Sequence, residues 1–333
     1  MNDQNQIGKA RTRTSKRRGR GCLLWLGASL AALLGLALVG YSYEPVAEAA
    51  DAKAYPPPGQ LVDVGGYRLH INCTGEGTPT VVVESGWGDF SETWARVQPE
   101  VARTTRICTY DRAGMGWSEA SPEPRTAREF AKELHTLLEK ANEPGPYILV
   151  GHSMGGYTVR VYAHDYPDEV VGLVLVDPQN LSTEDAATFN PAPKPGKNPL
   201  PALMARIGVM RLLAVPLGAV EDLPEGDKQA YTASVVTPRG VQTYLDEGMG
   251  MSEGGAQARA VTTLGALPLI LLSRGKDMDA ESAASQARYL QLSTDSQHLI
   301  ADQSGHHIMI EQPEAAVAAI LQMVEQIRQT VKN

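Results

Sequence analysis

"ILVGHSMGGY", Ile148 to Tyr157, decides how this chain is read. The apolar run "YILVG" (147–151) that leads into it is short and unbroken, the pattern of a strand buried on both faces. Beyond Ser153, Met154 to Asp165 can form a helix that ends before Pro167. Strand, G-x-S-x-G and helix in that order make a sharp turn, with Gly151 and Gly155 letting strand and helix approach closely. The serine hydroxyl then stands at a helix amino terminus, where the backbone dipole favours developing negative charge. Ser153 is the candidate nucleophile.

Runs of the same kind lie on either side. Leu61 to Val64 and Tyr67 to Cys73 flank Gly65-Gly66 and read as a hairpin. "TVVVESG" (80–86), "RICTYD" (106–111), "VVGLVLVD" (170–177), "LPLILLS" (267–273) and "QHLIA" (297–301) read as further strands. Helical patterns separate them. Thr126 and Glu129 form a capping box ahead of Phe130, Leu134, Leu137, Leu138 and Ala141, and a last helix from about Pro313 carries Val317, Ile320, Leu321, Val324, Ile327 and Val331. Alternating strands and helices predict a doubly wound, mostly parallel α/β sheet. Residues 178–265 interrupt that alternation with many prolines, Met204, Met210, Met249, Met251 and an amphipathic run "PALMARIGVMRLLAVPLG". They read as a helical cap over the carboxyl ends of the strands, where open α/β sheets bind ligands.

Charge is unevenly placed. The first 20 residues hold seven cations against Asp3, so the rest of a chain of net charge −8 carries −14. An acidic body argues against nucleic-acid binding, which needs cations to displace phosphate counterions. Cys22 to Val39 has no charge, and with its flank to Tyr43 spans about 30 Å as a helix, enough to cross a bilayer. The preceding cations would hold that end in the cytoplasm and put the body outside. A cleaved signal peptide is the competing reading, with Ala47-Glu48-Ala49 as the cleavage site, although the apolar run exceeds the usual h-region. The expected organisation is a basic cytoplasmic tail (1–20), a transmembrane anchor or signal sequence (21–43), an extended linker (44–59), and a folded domain (60–332) with its cap at about 178–265. The domain is then either tethered outside the cytoplasm by a single pass through the cell membrane, or secreted.

A serine nucleophile needs a base within hydrogen-bond reach and a carboxylate to orient that base. "DQSGHHIMIEQP" (302–313) offers His306 and His307 in the loop after the last strand, and His306, directly after Gly305, is preferred. His70, His135, His152, His164 and His298 read as structural. For the acid, Asp277 ranks first, a few residues past the "LPLILLSRG" strand; Asp279 and Asp177 come next as alternatives. A tetrahedral oxyanion needs two backbone donors, here the amides of Met154 and of Trp87 in "ESGWGDF". The chemistry calls for no metal and no cofactor.

With these residues in hand the chain resembles the α/β-hydrolase superfamily over about residues 58–332. Beyond the serine turn, the resemblance rests on "ESGWGDFSETW", "TYDRAGMGWSE", "VGLVLVDP" and "SGHHIMIEQPE" in that order. It implies a cap built from 178–265, Ser153 as nucleophile, His306 as base and an acid near Asp277. Two departures stand out: Glu84 replaces the usual histidine before the oxyanion glycine, and Met278 fills the slot where members often carry the acid. Family strand order also implies that Cys73 and Cys108 are cross-strand neighbours able to form a disulfide. A serine disfavours the branches that attack through aspartate, such as haloalkane dehalogenases and epoxide hydrolases. The resemblance then implies a carboxylesterase-like serine hydrolase acting on a small-molecule ester with an apolar acyl group. The alternatives are a proline iminopeptidase type of aminopeptidase, whose acidic amine pocket is not located, a lipase or thioesterase, a cofactor-free perhydrolase, and a non-catalytic binding module.

Overall fold

The computed structural model describes residues 13–180, 194–196, 199–213, 220 and 222–332. Expected tail residues 1–12, and cap residues 181–193, 197–198, 214–219 and 221, lie outside them. The strands are β1 (Gln60–Asp63), β2 (Arg68–Thr74), β3 (Thr80–Glu84), β4 (Ile107–Tyr110), β5 (Tyr147–His152), β6 (Val170–Val176), β7 (Leu269–Arg274) and β8 (Ser296–Ala301). They form one sheet in the order β1-β2-β4-β3-β5-β6-β7-β8. Only β2 runs against its neighbours in this sheet; every pairing from β4 to β8 is parallel. Asp63 Oδ1 closes the β1–β2 hairpin by accepting from the amides of Gly65 and Gly66.

The unbroken apolar runs divide between two cores because successive strand residues point to opposite faces. Val82 and Leu149 belong to one core; Val81, Val83, Ile148 and Val150 belong to the other. The helices are α1 (Arg13–Ala54), α2 (Gln98–Val101), α3 (Ala127–Lys140), α4 (Gly155–Asp165), α5 (Pro199–Arg206), α6 (Val209–Leu213), α7 (Glu225–Val235), α8 (Pro238–Ala260), α9 (Ala280–Ala287), α10 (Ile308–Glu311) and α11 (Pro313–Lys332). Helices α3 and α4 cover the first core, and α11 covers the second. Thr126 caps α3 by accepting from the Glu129 amide, and its buried face is Phe130, Leu134, Leu137 and Leu138. The face that α11 buries is Ala316, Ala319, Ile320, Met323, Val324 and Ile327, so Val317 and Leu321 lie at its margin.

Between β6 and β7 stand α5 to α8, the described part of the cap. The amphipathic run breaks into α5 and α6 at Gly208, whose φ of 74° no regular helix continues through. Of the extended linker expected at 44–59, residues 44–54 are instead helical. Helix α1 runs on to Ala54, across Pro45, because the alanines of "AEAADAKA" (47–54) favour helix and because this part has a surface to pack on. Glu44 and Ala47 are buried, and Arg211 of α6 pairs with Glu44 at 2.9 Å and with Asp51 at 2.7 Å. Farther up α1, the stretch from Leu23 is long and apolar enough to cross a membrane, with its side chains exposed. Cys73 on β2 faces Cys108 on β4 in the antiparallel register, and the two form a disulfide.

Candidate active site

Ser153 sits in the turn between β5 and α4 with a φ of 51°, a left-handed conformation that costs a non-glycine residue energy. Its neighbours explain the glycines. A Cβ at Gly151 would lie 2.7 Å from Val159 Cγ2, and one at Gly155 would lie 2.5 Å from the Glu84 carbonyl oxygen. The turn is held by its backbone: the Ser153 amide donates to Val176 O, and the Ser153 carbonyl accepts from Gly156 and Gln179.

His306 lies in the loop between β8 and α10. The Glu311 carboxylate shapes that loop, accepting from the amides of Gly305 (2.7 Å) and His307 (3.3 Å). A second hold comes from beneath, where His152 Nε2 donates to the His306 carbonyl at 2.9 Å. Burial, reinforced by the nearby His306 and His307, holds the His152 imidazole far below the usual histidine range, so it is a neutral donor there. So anchored, His306 places Nε2 2.9 Å from Ser153 Oγ and Nδ1 2.5 Å from Asp177 Oδ2.

The carboxylate at this junction is thus Asp177, at the end of β6, and not Asp277 or Asp279. Asp277 is exposed in the loop after β7, where its carbonyl accepts from Arg274 Nη2. Asp279 is spent as the cap of α9, accepting from the Ser282 amide at 2.7 Å. The physical reason lies in Arg274, the last residue of β7. It turns back toward β6 and donates through Nη1 to Asp177 Oδ2 at 2.9 Å. Gln286 of α9 donates to Asp177 Oδ1 at 2.6 Å. Burial acts to raise the Asp177 pKa, but the hydrogen bonds from His306 and Gln286 and the cation of Arg274 outweigh it and hold the carboxyl below its ordinary value.

Met154 follows the serine as the first residue before α4, and Trp87 lies in the turn after β3. That turn is clamped by the cap. The Trp87 ring stacks on Tyr244 of α8 with centroids 4.3 Å apart, and Trp87 Nε1 donates to the Tyr244 carbonyl at 2.8 Å. The next amide, Gly88, donates to Glu247 Oε2 at 3.0 Å. Glu247 also takes Arg112 Nε at 2.7 Å, and Arg112 reaches Glu84 at 2.8 Å, all three fully buried. Glu84, in the slot where the family often has histidine, is therefore half of a buried ion-pair network with a hydrogen bond from the Tyr110 hydroxyl. Among the described residues, the cluster with metal-ligand types in reach is Cys73, Cys108 and Glu143, whose sulfurs are committed to the disulfide.

Arg274, Gln286, His152 and Glu247 carry no signal in the sequence that links them to Ser153. For Asp177 the signal is partial: Met278 leaves the usual acid slot empty, and Asp177 at the end of the preceding strand is one of three carboxylates, with Asp277 and Asp279, open to take its place.

Similarity to known proteins agrees with this architecture. The epoxide hydrolase CorEH has a TM-score of 0.65 at 20% identity, with 80% of this chain and 98% of that one covered. A thermophilic esterase from Thermogutta terrifontis has a TM-score of 0.61 at 23% identity over 80% and 98%. At such identities these likenesses show the fold. The uncharacterized protein YqjL of Bacillus subtilis is 38% identical over 115 residues, 34% of this chain and 44% of that protein. A second protein of that organism, YbdG, is 30% identical over 152 residues, 45% and 47% respectively. The chain thus spans less than half the length of either relative. The sequence pattern of the alpha/beta hydrolase family matches residues 81–320, which hold the sheet from β3 to β8, the serine turn, Asp177 and His306, and the chain belongs to that family.

Proposed function

We propose that this hydrolase cleaves carboxylic esters through an acyl-enzyme on Ser153. The observation that carries the reading is His306, with one ring nitrogen on Ser153 Oγ and the other on Asp177. In the reaction His306 Nε2 accepts the Ser153 proton as Oγ bonds to the ester carbonyl carbon, and Asp177 steadies the imidazolium. The amides of Met154 and Trp87 receive the oxyanion. His306 then gives its proton to the departing alkoxide. Water attacks the acyl-enzyme with His306 again as base, releasing the acid and restoring Ser153. A serine at position 153 provides no carboxylate for the alkyl-enzyme route.

The chain is anchored by α1, with the basic segment 1–20 in the cytoplasm and the hydrolase domain on the other side. Support comes from the exposed apolar stretch of α1, the cations ahead of it, and the Cys73–Cys108 disulfide, a bond that persists in oxidising compartments. Purified protein treated with a fluorophosphonate should be labelled, and Ser153→Ala should not. Absence of Ser153-dependent labelling together with no turnover of nitrophenyl esters would overturn the reading.

A further inference from the structure

Helix α1 does more than precede the domain: it is packed against one part of the cap. A methyl group at Gly40 would overlap the carbonyl oxygen of Ile207, so α1 and the α5–α6 turn meet backbone to backbone. Arg206 at the end of α5 lies over the Tyr41 ring at 5.1 Å, and Arg211 of α6 binds Glu44 and Asp51. These contacts fix the turn at a definite height. The apolar stretch from Leu23 to Val39 spans about 26 Å as a helix, so Gly40 to Glu44 stand where a bilayer crossed by α1 would end. Tyr41 and Tyr43, both exposed, suit that boundary.

On either side of this turn, in α5 and α6, the cap shows exposed apolar side chains. Leu200, Leu203 and Met204 lie on one face of α5 at the i, i+3, i+4 spacing and are exposed, while Ala205 turns inward. On α6, Leu212 is 84% and Leu213 61% exposed. Between Pro199 and Leu213 the sequence has Arg206 and Arg211 and no carboxylate, although the chain as a whole is acidic. The Arg211 cation is taken up by Glu44 and Asp51, so it is the apolar face itself, beside the end of the apolar stretch of α1, that fits a lipid surface.

We propose that α5 and α6 dock into the leaflet from which α1 emerges, with Leu200, Leu203, Met204, Leu212 and Leu213 seated among the lipids, so that the cap itself lies on the membrane. This rests on α1 being a membrane anchor. It differs from a domain held on a tether, whose cap would face water.

The full chain can report this directly. In a Cys22→Ser background, with Cys73 and Cys108 paired, an environment-sensitive fluorophore is placed at Leu203→Cys, at Leu212→Cys, or at Ile300→Cys on exposed edge strand β8 as a control. The protein is reconstituted into phosphatidylcholine and phosphatidylglycerol vesicles, and flotation confirms insertion. Labels at 203 and 212 should be quenched several-fold more than the label at 300 by lipids carrying a doxyl group high on the acyl chain. They should also be several-fold better protected from aqueous iodide. Equal iodide quenching at 212 and 300 in protein that floats overturns the docking and leaves the anchor standing. Protection from iodide without doxyl quenching also overturns it, because another protein surface, such as a second copy, then covers the face. Failure to float overturns both the anchor and the docking.

Discussion

Donors from three separated stretches converge on the carboxylate of Asp177: His306 after β8, Arg274 at the end of β7, and Gln286 in α9. Such a group is fixed in orientation as well as in charge, which a histidine acting as base requires of its partner. Asp177→Asn is expected to lower kcat on a nitrophenyl ester by about 10³–10⁴-fold, because an amide no longer stabilises the imidazolium or selects its tautomer. Asp277→Asn should leave kcat unchanged; comparable loss in both variants would return the acid to the loop after β7. Ser153 and His306 were readable because each sits in a pattern local in sequence: a strand and helix around the serine, a strand and helix around the histidine. Asp177 was not, since its selection depends on where Arg274 and Gln286 point, and they are 97 and 109 residues away.

At the scale of elements, the body and cap meet where a single helical turn, Ser91–Trp94, approaches the first turn of α7. Burial of Glu92, with Asp227 beside it and Asp111 nearby, pushes its carboxyl up to about 8. The unfolded chain would ionise it near the ordinary value of 4.5, so the folded state binds more protons between those limits. The stabilisation that proton brings is fully present below pH 4.5 and is lost as pH rises through about 8. Glu92→Gln should therefore raise the melting temperature more at pH 9 than at pH 5, as read by thermal unfolding at both. An equal shift at the two pH values would show that the carboxyl ionises normally. Long periodic elements such as α3 were legible, but α8 was not. It contains five glycines, a poor composition for a helix, and it forms because close packing rewards it: a side chain at Gly250 would overlap the carbonyl of Arg125.

Across the whole molecule, the alternation of strand and helix was enough to indicate a doubly wound sheet, because buried parallel strands write themselves as short apolar runs. What one sequence could not disclose is how the excursion between β6 and β7 binds to everything else. On one side it receives α1 through Arg211, and on the other it enters the serine turn's surroundings through α8. Glu247 joins Arg112 in the body and the amide beside Trp87, with all the charges out of water. Swinging α8 outward would take Glu247 away from Arg112 and from the Gly88 amide, leaving the buried guanidinium with Glu84 as its remaining carboxylate. Amides of α8 between Tyr244 and Gly250 should accordingly exchange with deuterium more slowly than those of the exposed helix α5, a claim that equal exchange in the two would sink. Glu247 and Tyr244 thus make α8 a brace for the turn after β3 instead of a movable flap, so the setting of the Trp87 and Gly88 backbone is inherited from the cap.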